Sequence, residues 1–229
     1  MQPIQQKLAV VLLGLSAMLP LPSVQAAKVD FAQLMATQTP ALNRQGIKVW
    51  TYREANNPAF SYVASTVMDA PVASVVATLG DSGYLSKWVP QVDRVEVIHP
   101  SQDGVGTIRM VINFPFPAQD RDIIVKSISY QQADGSVVIK SASDNSSGPP
   151  PELGIVRVTA YEGDWVLKPV DGGRRTQVVT SGFADPGGMI PIGVVNLFVE
   201  QQPYLMLRKM KQVVRSARYA RAVLDLPRR

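Results

Sequence analysis

Apolar positions recur along this chain in two rhythms. Gly46 to Arg53 (G-I-K-V-W-T-Y-R) alternates and is rich in β-branched and aromatic residues, the pattern of a strand with one buried face. Phe60 to Met68 repeats it, and Asn56-Asn57-Pro58 between them has turn composition, so the pair predicts an antiparallel hairpin. Ahead of it, Phe31 to Ala36 reads as a short helix. After it, Val72, Val75, Val76 and Leu79 fall at helical spacing, with Pro71 suited to the first turn and Gly80 to the stop. A second short helix holds Tyr84, Leu85 and Trp88 and ends at Pro90.

The strand rhythm then returns in Val92 to Ile98, Gly104 to Asn113, Arg121 to Gln131 and Ser136 to Ser143. It continues in Ile155 to Tyr161, Trp165 to Lys168 and Thr176 to Gly182. Gln102-Asp103-Gly104, Ala133-Asp134-Gly135 and Asp171-Gly172-Gly173 are turns among them. From Pro191 to about Leu224 the period is helical again, with Leu207, Met210, Val214, Ala217, Ala220 and Leu224 in one stripe. Pro203 predicts a kink there, or a short helix followed by a longer one. The order implies the α+β class: one curved antiparallel sheet covered by a long C-terminal helix. Periodicity leaves open whether side chains fill the space between them or a ligand does.

The first residues change the picture. Lys7 precedes the uncharged apolar run Leu8 to Leu19, then come Pro20, Pro22 and Val24-Gln25-Ala26, the layout of a secretory signal peptide cut before Ala27. The run is too short to cross about 30 Å of hydrocarbon as a helix. We therefore expect residues 1–26 to be a leader, residues 27–229 to form a single domain, and the protein to be periplasmic or secreted. Removing Lys7 takes the formal charge from +5 to +4, too little to indicate nucleic-acid binding. The chain has no cysteine, hence no disulfide and no thiolate chemistry. Its single histidine, His99, stands beside Pro100 in what reads as a surface loop, so there is no histidine pair for zinc, and nothing calls for a metal or cofactor.

Three widely spaced stretches, Phe114 to Pro117 running into Arg121 to Val125, Trp165 to Pro169, and Asp185 to Pro191 followed by Val194 to Asn196, together resemble the START family of lipid-transfer domains. Phe114-Pro115-Phe116-Pro117 running into Arg121-Asp122-Ile123-Ile124-Val125 is similar to the family's proline-aromatic segment before an Arg-Asp strand. Trp165-Val166-Leu167-Lys168-Pro169 resembles its penultimate strand. Asp185-Pro186-Gly187-Gly188-Met189-Ile190-Pro191, followed by Val194-Val195-Asn196, resembles its turn into the closing helix, where two glycines permit a tight reversal. The resemblance spans about residues 45 to 215. It implies a helix-grip fold with an internal tunnel for a lipid or other large hydrophobic molecule, and no catalytic residues. Family members that bind cholesterol often carry a second interior arginine six residues past the Arg-Asp motif; Ser127 stands at that position here.

Candidate ligand contacts follow from both readings. Arg109, in the apolar strand Ile108 to Ile112, either points inward to a head group or faces outward. Arg121, flanked by Asp120 and Asp122, either contacts ligand or caps a turn. Phe114 and Phe116, stiffened by prolines, either close the tunnel or pack at its rim. Met189 and Ile190 mark the mouth expected from the resemblance, with Val194 and Phe198 on the closing helix beside them, and Trp88 and Trp165 either line the cavity or fill the core. Arg208, Lys209, Lys211, Arg215, Arg218 and Arg221 form an acid-free basic face, either solvated or resting on anionic lipid. The expected function is binding of a lipid or other hydrophobic molecule, without enzymatic activity. The alternatives are a cyclase-like helix-grip enzyme and an interaction protein with a filled cavity.

Overall fold

The computed structural model describes residues 29–53, 60–188 and 190–229, so the expected leader and the expected turn at Asn56-Asn57-Pro58 lie outside the described residues. Helix α1 (Phe31–Thr37) leads into β1 (Leu42–Arg44), β2 (Ile47–Arg53) and β3 (Phe60–Met68). Helices α2 (Val72–Gly80) and α3 (Leu85–Trp88) follow, then β4 (Val92–Gln102), β5 (Val105–Ile112), β6 (Asp120–Gln131) and β7 (Val137–Ser143). The chain continues through β8 (Ile155–Arg157), β9 (Ala160–Val170) and β10 (Arg175–Asp185) to the closing helix α4 (Ile192–Val213).

These strands form one sheet in the order β1-β2-β3-β10-β9-β7-β6-β5-β4, antiparallel throughout except for β8, which pairs parallel with β6. The fold class is the expected one. Helix α4 lays Tyr204, Leu207 and Met210 on the β2–β3 side of the sheet, with Ile47, Val49, Ala64 and Met68 beneath them, all fully buried or nearly so. On the outer face α1 covers Trp50 and Val63 with Leu34, and the Trp50 indole N–H donates to the Gln38 carbonyl at 2.9 Å.

Several elements differ from expectation, each for a physical reason. Strand β4 runs on through Pro100 to Gln102; it is the sheet edge, where a residue without an N–H costs no ladder bond. His99 therefore lies in a strand, not a loop. Strand β9 is continuous across Gly163, whereas the sequence suggests a break, because β7 and β10 supply ladder partners on both sides. Ile155 to Tyr161 is not one strand: Ile155–Arg157 pairs with β6, and Val158 then turns its N–H to the Asp122 carbonyl at 2.8 Å.

The closing helix passes through Pro203 as one element and stops at Val213, short of Leu224. Residues beyond it run as turns. Tyr219 is buried, its hydroxyl donating to Asp81 at 3.0 Å, and its carbonyl accepts from the Ser74 hydroxyl at 2.9 Å. The last residues reach the far end of β6, where the Gln131 N–H donates to the Pro227 carbonyl at 2.9 Å. They cross above Gly104, which has φ +76° in the β4–β5 turn; a Cβ there would lie 2.2 Å from the Ser129 carbonyl and 3.1 Å from Pro227.

Candidate functional site: an internal cavity

Because α4 packs on the β2–β3 side, the curved sheet leaves a cavity of about 310 Å³ between its β4–β7 and β9 part and α2, α3 and α4. That volume lies at the small end of pockets that hold organic ligands, about 300–1,000 Å³. Leu79, Leu85 and Trp88 form one wall, Ile108, Met110 and Val125 another, and Met206 and Leu226 close it from α4 and the C-terminal segment. The polar lining consists mainly of hydroxyls: Ser82, Ser101, Ser127, Ser129, Ser141 and Tyr161. Ser127 and Ser141 share a hydrogen bond of 2.8 Å. Burial pushes the Tyr161 phenol well above its usual value, so it stays protonated. His99 lies exposed at the rim.

The sequence-derived candidates separate into three places. Trp88 and Trp165 line the cavity; Trp88 is 1% exposed and its indole N–H has no hydrogen-bond partner among the described residues.

Arg109 lies on the opposite face of the sheet. Its guanidinium donates to Asp122 at 2.7 Å, Glu152 at 2.8 Å and Glu96 at 3.2 Å, under the segment that carries Gly148 across Ile124. Arg157 holds the other oxygen of Asp122 at 2.7 Å. Burial alone would raise the Asp122 carboxyl, but the hydrogen bonds from Arg157 and Arg109 outweigh it and hold the pKa below the usual carboxylate range. Alternation explains the placement: if Ile108 and Met110 face the cavity, Arg109 between them cannot.

The third group gathers where the β5–β6 loop meets the β10–α4 turn. Phe114 stacks on Phe198 with ring centroids 5.6 Å apart, and the Arg121 guanidinium lies 4.5 Å above the Phe114 ring. Arg121 is buried and donates to the carbonyls of Pro186 at 3.2 Å, Gly187 at 3.1 Å and Gln119. Burial pulls its pKa below the ordinary value, with nearby Asp120 offsetting part of the shift. It thus ties the loop to the turn by neutral acceptors. Phe116 is 96% exposed, Val194 is exposed on the first turn of α4, and Ile190 is half-buried. Met189 lies outside the described residues.

Ser129, Ser141 and Gly106 also line the cavity, and no local motif marks them as ligand contacts. Glycine inside a strand is a signal of close approach by another group, and Gly163 and Gly182 carry it. Cross-strand register, which sequence does not show, is what sets Gly163 beside Ser141 and Gly182 beside Gly163.

The START domain family model matches residues 44–219. The chain belongs to the START domain family. An uncharacterized protein of Pseudomonas aeruginosa is 27% identical over 171 residues, covering 75% of this chain and 83% of its own length. The phosphatidylcholine transfer protein of Rattus norvegicus is 26% identical over 155 residues, covering 66% of this chain and 71% of its own. The STAR-related lipid transfer protein of Xanthomonas axonopodis superposes with a TM-score of 0.72 at 24% identity, covering 78% of this chain and 98% of that structure, and shows the shared fold.

Proposed function

We propose that this START domain binds a lipid or other large hydrophobic molecule in its internal cavity and carries or presents it in the periplasm. The observation that carries the reading is the cavity between sheet and closing helix, walled by aliphatic and tryptophan side chains. A lipid-transfer relative and the family assignment support it. Burying roughly a dozen methylenes at about 0.8 kcal/mol each offsets most of what a bilayer offers the same chain. Binding is favoured over catalysis by the lining, where His99 and Tyr161 are the titratable groups among the described residues and are not hydrogen-bonded to each other. The apolar leader and the absence of cysteine support export.

Native mass spectrometry of the protein purified from its own compartment, followed by organic extraction, tests the reading. A stoichiometric hydrophobic molecule is the expected result. Recovery of none, with no uptake from labelled vesicles, would favour the interaction-protein alternative.

Loading requires a membrane contact, and the Phe116 and Val194 end supplies exposed apolar side chains for it. Arg208, Lys209 and Arg215 are also exposed and add at most about 1 kcal/mol each on anionic lipid, whereas Arg218 is held by Asp81. Phe116→Asp is expected to weaken vesicle binding about tenfold in co-sedimentation. Unchanged binding would shift the contact to the basic residues.

A further inference from the structure

The cavity floor carries a pattern that bears on the cargo. Register places Tyr62, Gly182, Gly163, Ser141, Ser127 and Gly106 directly opposite one another on six successive strands, and Ser141, Ser127 and Gly106 of this row line the cavity, as does Tyr161. A Cβ at Gly163 would lie 2.3 Å from the Tyr161 hydroxyl, and one at Gly182 would lie 2.6 Å from the Tyr62 ring. The glycines therefore let both tyrosines lie flat on the sheet. The Tyr161 hydroxyl then continues the line of Ser141 and Ser127 across the floor. Burial pushes the Tyr62 phenol up to about 12, with Thr180 opposing the shift, so Tyr62 too is neutral.

Three features of this row act together. Hydroxyls donate and accept, and in the Ser127–Ser141 pair whichever oxygen accepts still has its own proton to donate. Trp88, on the helical wall of the same cavity, adds a buried N–H without a partner among the described residues, a state that costs about 1–3 kcal/mol until an acceptor arrives. Among the described residues, no lysine, arginine, aspartate or glutamate lines the cavity. The two buried arginines are engaged elsewhere: Arg109 by Asp122, Glu96 and Glu152 on the outer face, and Arg121 by the turn carbonyls. A phosphate or carboxylate drawn inside would meet no counter-charge, and an unpaired buried charge is far costlier than an unpaired hydroxyl.

Resting on the carrier reading above, we infer that the cargo class is a lipid that carries no ionised group and bears a hydroxyl or carbonyl oxygen, seated on the row formed by Ser127, Ser141 and Tyr161. The surplus of donors selects for an acceptor oxygen, and the charge-free lining selects against ionised head groups.

The test uses the intact chain incubated with vesicles holding equal mole fractions of phosphatidylethanolamine, phosphatidylglycerol, diacylglycerol and a sterol alcohol, then re-isolated and extracted for quantification by mass spectrometry. The neutral oxygenated lipids are expected at more than tenfold enrichment over the phospholipids. The triple variant Ser127→Ala, Ser141→Ala, Tyr161→Phe is expected to lower that uptake about tenfold, with circular dichroism and thermal melting confirming that it remains folded. Preferential recovery of either phospholipid overturns this inference and leaves the carrier reading standing. Neutral lipid bound equally by the variant overturns the assigned seat. No lipid of any class would overturn the carrier reading itself.

Discussion

Asp122→Asn is expected to destabilise the protein by about 3 kcal/mol or more, the largest single-residue effect foreseen here. The native carboxylate is fully buried and bonds the guanidinium groups of both Arg109 and Arg157. Removing its charge leaves Arg109, 2% exposed, with only the half-exposed Glu96 and Glu152 as counter-ions. The asparagine keeps one acceptor oxygen for the two guanidinium groups and turns an NH2 toward the other, and Arg157 retains the Pro149 carbonyl besides. Urea unfolding reads the effect as a lowered midpoint at an unchanged slope.

The pH dependence has a defined sign. Asp122 has a folded pKa below its unfolded value of about 3.9, so its contribution is fully present above that value and is lost as pH falls through the folded pKa. The variant should lose this part of acid unfolding. A loss under about 1 kcal/mol would mean that the outer-face network contributes nothing net.

Gly163→Val is expected to reduce ligand uptake about a hundredfold while leaving the fold intact. A side chain at 163 collides with the far end of the Tyr161 side chain, which lines the cavity and is expected to be displaced into it. Displacing three or four methylenes of cargo at about 0.8 kcal/mol each accounts for that factor. Strand β9 is paired on both edges and valine suits a strand, so the ladder should survive. Vesicle uptake and thermal melting separate the outcomes. Normal uptake would mean that the ligand does not reach the floor over Gly163, and loss of cooperative melting would mean that the glycine serves packing alone.

The resemblance read from the Phe114–Pro117 segment, the Trp165–Pro169 strand and the Asp185–Pro191 turn identified the family, which the match over residues 44–219 shows. These motifs are legible because each is local: proline stiffens a loop, paired glycines reverse a chain, and alternation marks a buried strand face. The limits are equally physical. Arg109 could be assigned to one of two faces by alternation, but which face is the inside depends on where α4 packs. Pro203 removes a helical hydrogen bond and so argued for an interruption, yet burial of Tyr204, Leu207 and Met210 against the sheet keeps one helix. Ala217 and Ala220 continued the helical stripe on paper; the chain instead leaves the helix after Val213, and Tyr219 docks on Asp81 and Ser74.

Sequence alone determined the α+β class and nearly every strand, because side-chain periodicity and turn chemistry are properties of neighbouring residues, while the family and the expectation of a cavity rested on the resemblance carried by three local motifs. Only the tertiary structure decided what the cavity is made of. Tyr62, Gly106, Ser127, Ser141, Gly163 and Gly182 are scattered over more than a hundred positions and become one row through the register of six strands, and the Gly106, Ser127 and Ser141 end of that row lines the cavity. Register is a relation between distant segments, set by which faces of the whole sheet are buried, and no local pattern contains it.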